Sequence, residues 1–175
     1  MPSGKTHDAI TWILAVPTYL ATYYWTGSWG LAGMVTLAMV FSGLMFGPDL
    51  DIRSKQYNRW GPLRFLWWPY QKMMPHRSRL SHGLVLGPAV RIIYFLAIAF
   101  LLVLAASYLR ASVLGGEPLG TKDLARYTPH AESYALWLWS QKEVWAILAG
   151  LWWGAATHTL SDMSVTVARK VSEIF

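Results

Sequence analysis

The chain has 175 residues, of which 54 % are hydrophobic and 14 % charged, against about a quarter charged for an ordinary soluble domain. The absence of cysteine excludes disulfides, thiolate nucleophiles and thiolate metal sites, so any metal must sit on His, Asp or Glu. Fifteen Lys and Arg against nine Asp and Glu give a formal charge of +6, which alone fits either anionic lipid or nucleic acid. Eleven Trp and nine Tyr are rings of the kind that gather where a membrane meets water. The composition predicts a single all-α polytopic membrane domain over residues 1–175.

The N-terminus lacks the basic start and small-residue cleavage site of a signal peptide, so its first helix is expected to be retained. The first apolar stretch covers about 9–25, with Ser3 and Thr6 as candidate N-caps and Pro17 as an expected kink. A second covers 29–46, and Gly27-Ser28 between them reads as a tight hairpin. Residues 47–83 hold four prolines and seven Lys or Arg and read as a loop. Within it, Trp60 to Met74 mixes Trp, Tyr and basic residues. That composition fits a segment in the headgroup plane, or a helix packed on the protein's own surface. A third span covers 88–109, interrupted only by Arg91, expected to snorkel toward the headgroups. Residues 110–142 read as a second loop, and a fourth span covers about 144–160.

Four spans place the N-terminus, the 47–83 loop and the C-terminal tail on one side, and the 110–142 loop on the other. The first side carries ten basic residues and the second four, with Arg91 left inside a span. The positive-inside rule makes the first side cytoplasmic. It also explains the basicity without a polyanionic partner, so nucleic acid is not expected. Membrane lipid is the expected partner, with a larger membrane-protein complex as the other; the oligomeric state is not legible.

On this topology four of the five histidines and three of the five aspartates share the cytoplasmic side: His7, Asp49, Asp51, His76, His82, His158 and Asp162. His158 and Asp162 are spaced by four and project from one helix face. Asp49 and Asp51, after Gly47-Pro48, suit an extended turn. Each piece has a plain structural reading: a helix-end cap, a turn closing span two, an ordinary helical pair. Together, imidazoles and acids at one membrane face point to a divalent cation, Zn first and Mn or Fe(II) next. Seven ligands suit two ions with an Asp bridge, or one ion with an outer shell. Arg77 and Arg79 read as topogenic charges, or one of them as a phosphate clamp.

The order Thr6-His7, Pro48-Asp49-Leu50-Asp51, His76-Arg77 with Ser81-His82, then His158 and Asp162 resembles the inner-membrane metal-dependent hydrolase family. It looks especially like that family's cyanobacterial branch of metal-binding proteins. The likeness covers essentially the whole chain. It implies a helical domain in a bacterial inner or thylakoid membrane, a His/Asp metal centre and hydrolytic activity. More distantly, the ligand order is similar to that of the zinc-dependent phospholipase C and nuclease fold, which favours phosphoester chemistry.

The resulting expectation is metal-assisted hydrolysis of a phosphoester or other ester of a lipid or amphiphile. His7, Asp49, His82, His158 and Asp162 are the expected metal ligands. Asp51 or His76 is the expected general base or orienter, and Arg77 the neutraliser of anionic charge. The competing expectation is a non-catalytic metal-binding membrane subunit or assembly factor. An ion transporter fits less well, since the ligands sit at span ends rather than at the midplane.

Overall fold

The computed structural model describes residues 3–76, 78–120, 122–123 and 128–172, and every regular element among them is helical. Two compact units are present, one of Met1–Arg91 with Glu143–Phe175, the other of Ile92–Lys142.

The first unit is built on α1 (Gly4–Thr26), α2 (Trp29–Met45) and α8 (Lys142–Ser172). Ser3 caps α1 by accepting from the Thr6 amide, which satisfies one of the donors a helix start leaves free. The helix continues through Pro17 as one element. Gly27 ends it with φ 63°, a left-handed conformation that only a residue without Cβ adopts freely, and its amide returns to the Tyr23 carbonyl. Ser28 caps α2 by accepting from the Leu31 amide, so the chain reverses within two residues.

Helix α8 crosses α2 at close range. A Cβ on Gly150 would collide with the Val35 carbonyl and one on Gly154 with the Met39 carbonyl. These glycines, four apart on one helix face, therefore let the two backbones approach. Ser42 reinforces the crossing by donating to the Leu151 carbonyl at 2.7 Å, and Met39 and Ala32 are wholly buried beneath it. Gly43 meets Thr11 of α1 in the same way.

The expected loop at 47–83 is instead a string of short helical turns. These are a 3-10 turn at Pro48–Asp51, α3 (Lys55–Arg59), a 3-10 helix at Gly61–Trp67, α4 (Trp68–Met73) and α5 (Arg79–His82). The prolines mislead because Pro48, Pro62 and Pro69 stand in first turns, where a missing N–H costs nothing and the fixed φ favours a helix. Trp67 and Tyr70 turn inward, their rings edge-on to one another, and Trp67 also meets Phe46 edge-on; Leu63, Trp68 and Met73 remain exposed. The segment is thus packed on the first unit along one face and open along the other.

Helix α6 spans Leu86–Leu114. Arg91, near its start, is 1 % exposed and donates to the Ser81 carbonyl at 2.7 Å, rather than snorkelling outward. The second unit carries the rest of α6 and, within the expected 110–142 loop, α7 (Ala131–Ser140). Among the described residues, two helical stretches are by length and composition long and apolar enough to cross a membrane: Trp29–Asp51, mean hydropathy 1.8, and Leu86–Leu114, mean hydropathy 2.6.

A candidate metal centre

The first unit gathers six of the eight sequence-predicted site residues into one continuous cluster, with His76 at its edge. Arg77 lies outside the described residues. His7 projects from the first turn of α1, and His158 and Asp162 from successive turns of α8. Asp49 and Asp51 come from the Pro48–Asp51 turn, a 3-10 turn rather than an extended one. His82 ends α5, and His76 lies between α4 and α5.

The separations form a connected chain. His7 Nε2 lies 3.3 Å from Asp162 Oδ1, and His158 Nε2 lies 3.8 Å from Asp162 Oδ2 and 3.4 Å from Asp49 Oδ2. Asp49 Oδ1 faces His82 Nε2 at 3.5 Å, His82 Nδ1 lies 3.7 Å from Asp51 Oδ2, and Asp51 Oδ1 meets His76 Nδ1 at 2.9 Å. Two groups each bring three ligand atoms within 4.8 Å of one another: His7, His158 and Asp162, and Asp51, His76 and His82.

Most of these distances are too long for good hydrogen bonds. They match the spacing of about 3.4 Å between neighbouring ligands that each stand some 2.1 Å from a shared tetrahedral ion. Six ligand atoms are buried with no hydrogen-bond partner: Asp49 Oδ1, Asp51 Oδ2, His82 Nε2, His158 Nε2 and both oxygens of Asp162. Buried polar atoms are otherwise almost always paired, so this donor set fits a cation.

Electrostatics point the same way. Burial alone would raise the Asp49 carboxyl, but the close approach and charge of the His158 and His82 imidazoles outweigh it and hold the group well below the usual carboxylate range. The His7 imidazole is pushed down, first by burial and next by the His158 ring, which stacks on it at 3.6 Å. A low imidazole pKa keeps a nitrogen lone pair available to a metal.

Supporting residues hold the rings. Ser161 Oγ lies 2.9 Å from His7 Nδ1 and donates to the His158 carbonyl at 2.8 Å. With that hydroxyl proton committed, Ser161 accepts from Nδ1–H and leaves His7 Nε2 facing the carboxylates. The Gln56 amide nitrogen donates to the Gly43 carbonyl and lies 3.4 Å from His158 Nδ1. Asp8 stands apart from the ligand cluster, ion-paired to Lys55 and clamped by Arg59 at 2.6 and 2.8 Å, and lines the same cavity as His7. Sequence reasoning missed Ser161, Gln56 and the buried role of Arg91; only the spacing of Ser161, three after His158, hinted at any of them. A cavity of about 200 Å³ reaches His7, Asp49 and His158 and is also lined by Lys55 and Gln56. His130 belongs to the second unit, exposed and edge-on to Tyr134.

Among the described residues, fold and site together define an all-helical protein with a buried His/Asp cluster able to hold a metal ion. Over residues 2–172 the chain matches the family described as uncharacterized metal-binding protein (DUF2227), and it belongs to that family. No curated protein and no solved structure matches the chain.

Proposed function

We propose that this chain is a membrane-bound, metal-dependent hydrolase acting on a phosphoester or other ester of a lipid or amphiphile. The observation that carries the reading is the set of six buried, unpartnered ligand atoms strung along one continuous cluster, next to a cavity. A structural metal site is closed by protein, whereas a catalytic one keeps room beside the ion.

His7, Asp49, His158 and Asp162 hold the ion, with His82 completing the set through Asp49; Zn is the first expectation, Mn or Fe the next. When bound, such a cation supplies Lewis acidity and brings a coordinated water toward neutral pKa. The chain's own groups do the rest. Ser161 orients His7, the carboxylates of Asp49 and Asp162 offset the ionic charge, and the 200 Å³ cavity receives the scissile group. To Arg77, next to His76 in sequence, we assign the neutralisation of anionic charge.

Two observations support the amphiphile. Large apolar side chains are exposed along α1, α2 and α6, including Ile13, Leu20, Leu37, Ile93 and Leu101, a surface that a soluble monomer rarely carries. An apolar groove of about 470 Å³, lined by Leu14, Pro17, Trp25, Trp152 and Trp153 among others, begins two helical turns past His7. We read α1, α2, α6 and α8 as four spans of a bacterial inner or thylakoid membrane, with the centre on the cytoplasmic side. A resemblance in ligand order to inner-membrane hydrolases, including their cyanobacterial branch, supports this reading.

The exposed run Leu136 to Trp139 on α7 favours a second reading, a non-catalytic metal-binding subunit that docks a membrane complex. One experiment separates the two: elemental analysis of the detergent-purified protein, then turnover of generic phosphoesters and carboxylic esters with and without chelator. Stoichiometric metal with chelator-sensitive turnover is expected. Metal without turnover on any ester, with chelation releasing a partner complex, replaces hydrolase by subunit.

A further inference from the structure

Asp49 faces two ways. Its Oδ2 lies 3.4 Å from His158 Nε2, while its Oδ1 lies 3.5 Å from His82 Nε2. Beyond His82, the Asp51, His76 and His82 group brings three ligand atoms within 4.8 Å of one another, as the His7, His158 and Asp162 group does.

We propose that Asp51, His76 and His82 hold a second divalent cation, and that Asp49 bridges the two ions through its two carboxylate oxygens. The proposal rests on the metal-centre reading above. It assigns Asp51 and His76 a ligand role in place of the general-base role expected from sequence.

A plain hydrogen-bonded pair does not account for this half of the cluster. The 2.9 Å contact between His76 Nδ1 and Asp51 Oδ1 satisfies those two atoms only. Asp51 Oδ2, on a side chain wholly shielded from solvent, has no hydrogen-bond partner, nor do His82 Nε2 and Asp49 Oδ1. Two of these buried, unpaired atoms, His82 Nε2 and Asp49 Oδ1, face one another at 3.5 Å, and the third, Asp51 Oδ2, lies 3.7 Å from Nδ1 of the same imidazole, so uncompensated donor atoms line both sides of the His82 ring.

Charge balance accommodates two ions. Asp49, Asp51 and Asp162 bring three negative charges, the buried Arg91 acting on Asp51 and Asp49 returns one positive charge, and the four imidazoles are neutral when ligating. A single divalent ion leaves the centre neutral, with no pull on an anionic substrate. A second would make it net positive, able to attract an anion and to steady both the entering and the leaving oxygen of a phosphoryl group. Exposure sets the direction of approach. Asp51 is shielded while the His76 side chain is 32 % exposed, so the second position is anchored inside and open outside. The substrate class is therefore a phosphoester, in preference to a neutral carboxylic ester.

The test uses the full chain in detergent, stripped with chelator and reloaded with Mn(II) or Zn(II), with metal counted by mass spectrometry against protein. About two equivalents are expected for the parent, as in two-metal centres, and about one for His76→Ala and for Asp51→Asn. The Mn(II)-loaded parent should show a spin-coupled pair by electron paramagnetic resonance, and both variants an isolated ion. Circular dichroism checks that the variants remain folded, which the edge position of His76 favours. One equivalent in the saturated parent, or two retained by both variants, overturns the second site and leaves the single-ion reading standing. No stoichiometric metal overturns both. Inorganic phosphate, followed by calorimetry, should bind the two-ion parent at least about tenfold more tightly than His76→Ala, as expected when one of two coordinating cations is lost. Equal affinities overturn the phosphoryl assignment.

Discussion

At the residue scale the centre rests on His158 more than on any other side chain. It stacks on His7, faces Asp49 and Asp162, and has Gln56 behind its ring. His158→Ala or Asp49→Ala should abolish metal retention through size-exclusion chromatography, while His130→Ala leaves it unchanged; equal metal content in all three would overturn the assignment. Ser161→Ala removes only the hydroxyl that orients His7, so metal affinity should fall about 10- to 100-fold with the helix content intact, the usual effect of losing an outer-shell partner. Competition against a chromophoric chelator measures it. Asp8 carries a separate prediction. Burial would raise its carboxyl, but hydrogen bonds from Arg59 and Lys55 outweigh that and lower it. A depressed folded-state pKa contributes stability that is present above the unfolded value of about 3.9 and is lost as pH falls through the folded one. The difference in stability between the parent and Asp8→Asn, on the order of 1 kcal/mol for a charged but partly exposed network, should therefore vanish in strong acid. Denaturant titrations across pH would show it.

The residue types of the cluster were legible because hydropathy marks where helices end, and His and Asp at those ends stand out against an apolar chain. The shell behind them was not. Whether Ser161 or Gln56 touches an imidazole depends on how α8 and α3 rotate about their axes, and no local pattern encodes that. Arg91 illustrates the same limit, since its burial follows from the Ser81 carbonyl ten residues upstream, not from its apolar neighbours.

At the scale of elements the crossing of α8 over α2 sets the register that delivers His158 and Asp162. Gly154→Val should be severe, because the added atoms meet the Met39 carbonyl and the Ser42 side chain rather than a yielding side-chain tip. A loss of about 2 kcal/mol or more is expected from overpacking of this kind, along with loss of metal. Gly33→Ala, in open space on α2, is the control and should leave thermal stability the same or slightly higher. Melting curves in one detergent decide the comparison. The long helices were readable as elements because their apolar runs are long. The 47–83 segment was misread because a proline's meaning depends on its position within a turn, and first-turn positions are fixed only once neighbouring turns have packed.

At the scale of the whole molecule, the exposed apolar helices and the buried charged centre predict two linked behaviours. The protein should sediment with membranes and resist extraction by high salt and alkaline carbonate, yielding only to detergent; release by carbonate would contradict the four-span reading. Zn(II) or Mn(II) should raise the melting temperature and chelator lower it, because a ligand that binds only the folded state stabilises it in proportion to its saturation.

The centre draws its side chains from α1, from the turns after α2 and from α8. During synthesis His7 emerges early, yet it has no counterpart until His158 and Asp162 have left the ribosome. Loading must then be a late event in biogenesis, after the last helix has docked. A nascent chain arrested before that point carries its imidazoles and carboxylates as separate, weakly chelating pieces, and a cell short of the cation would accumulate fully translated but immature protein.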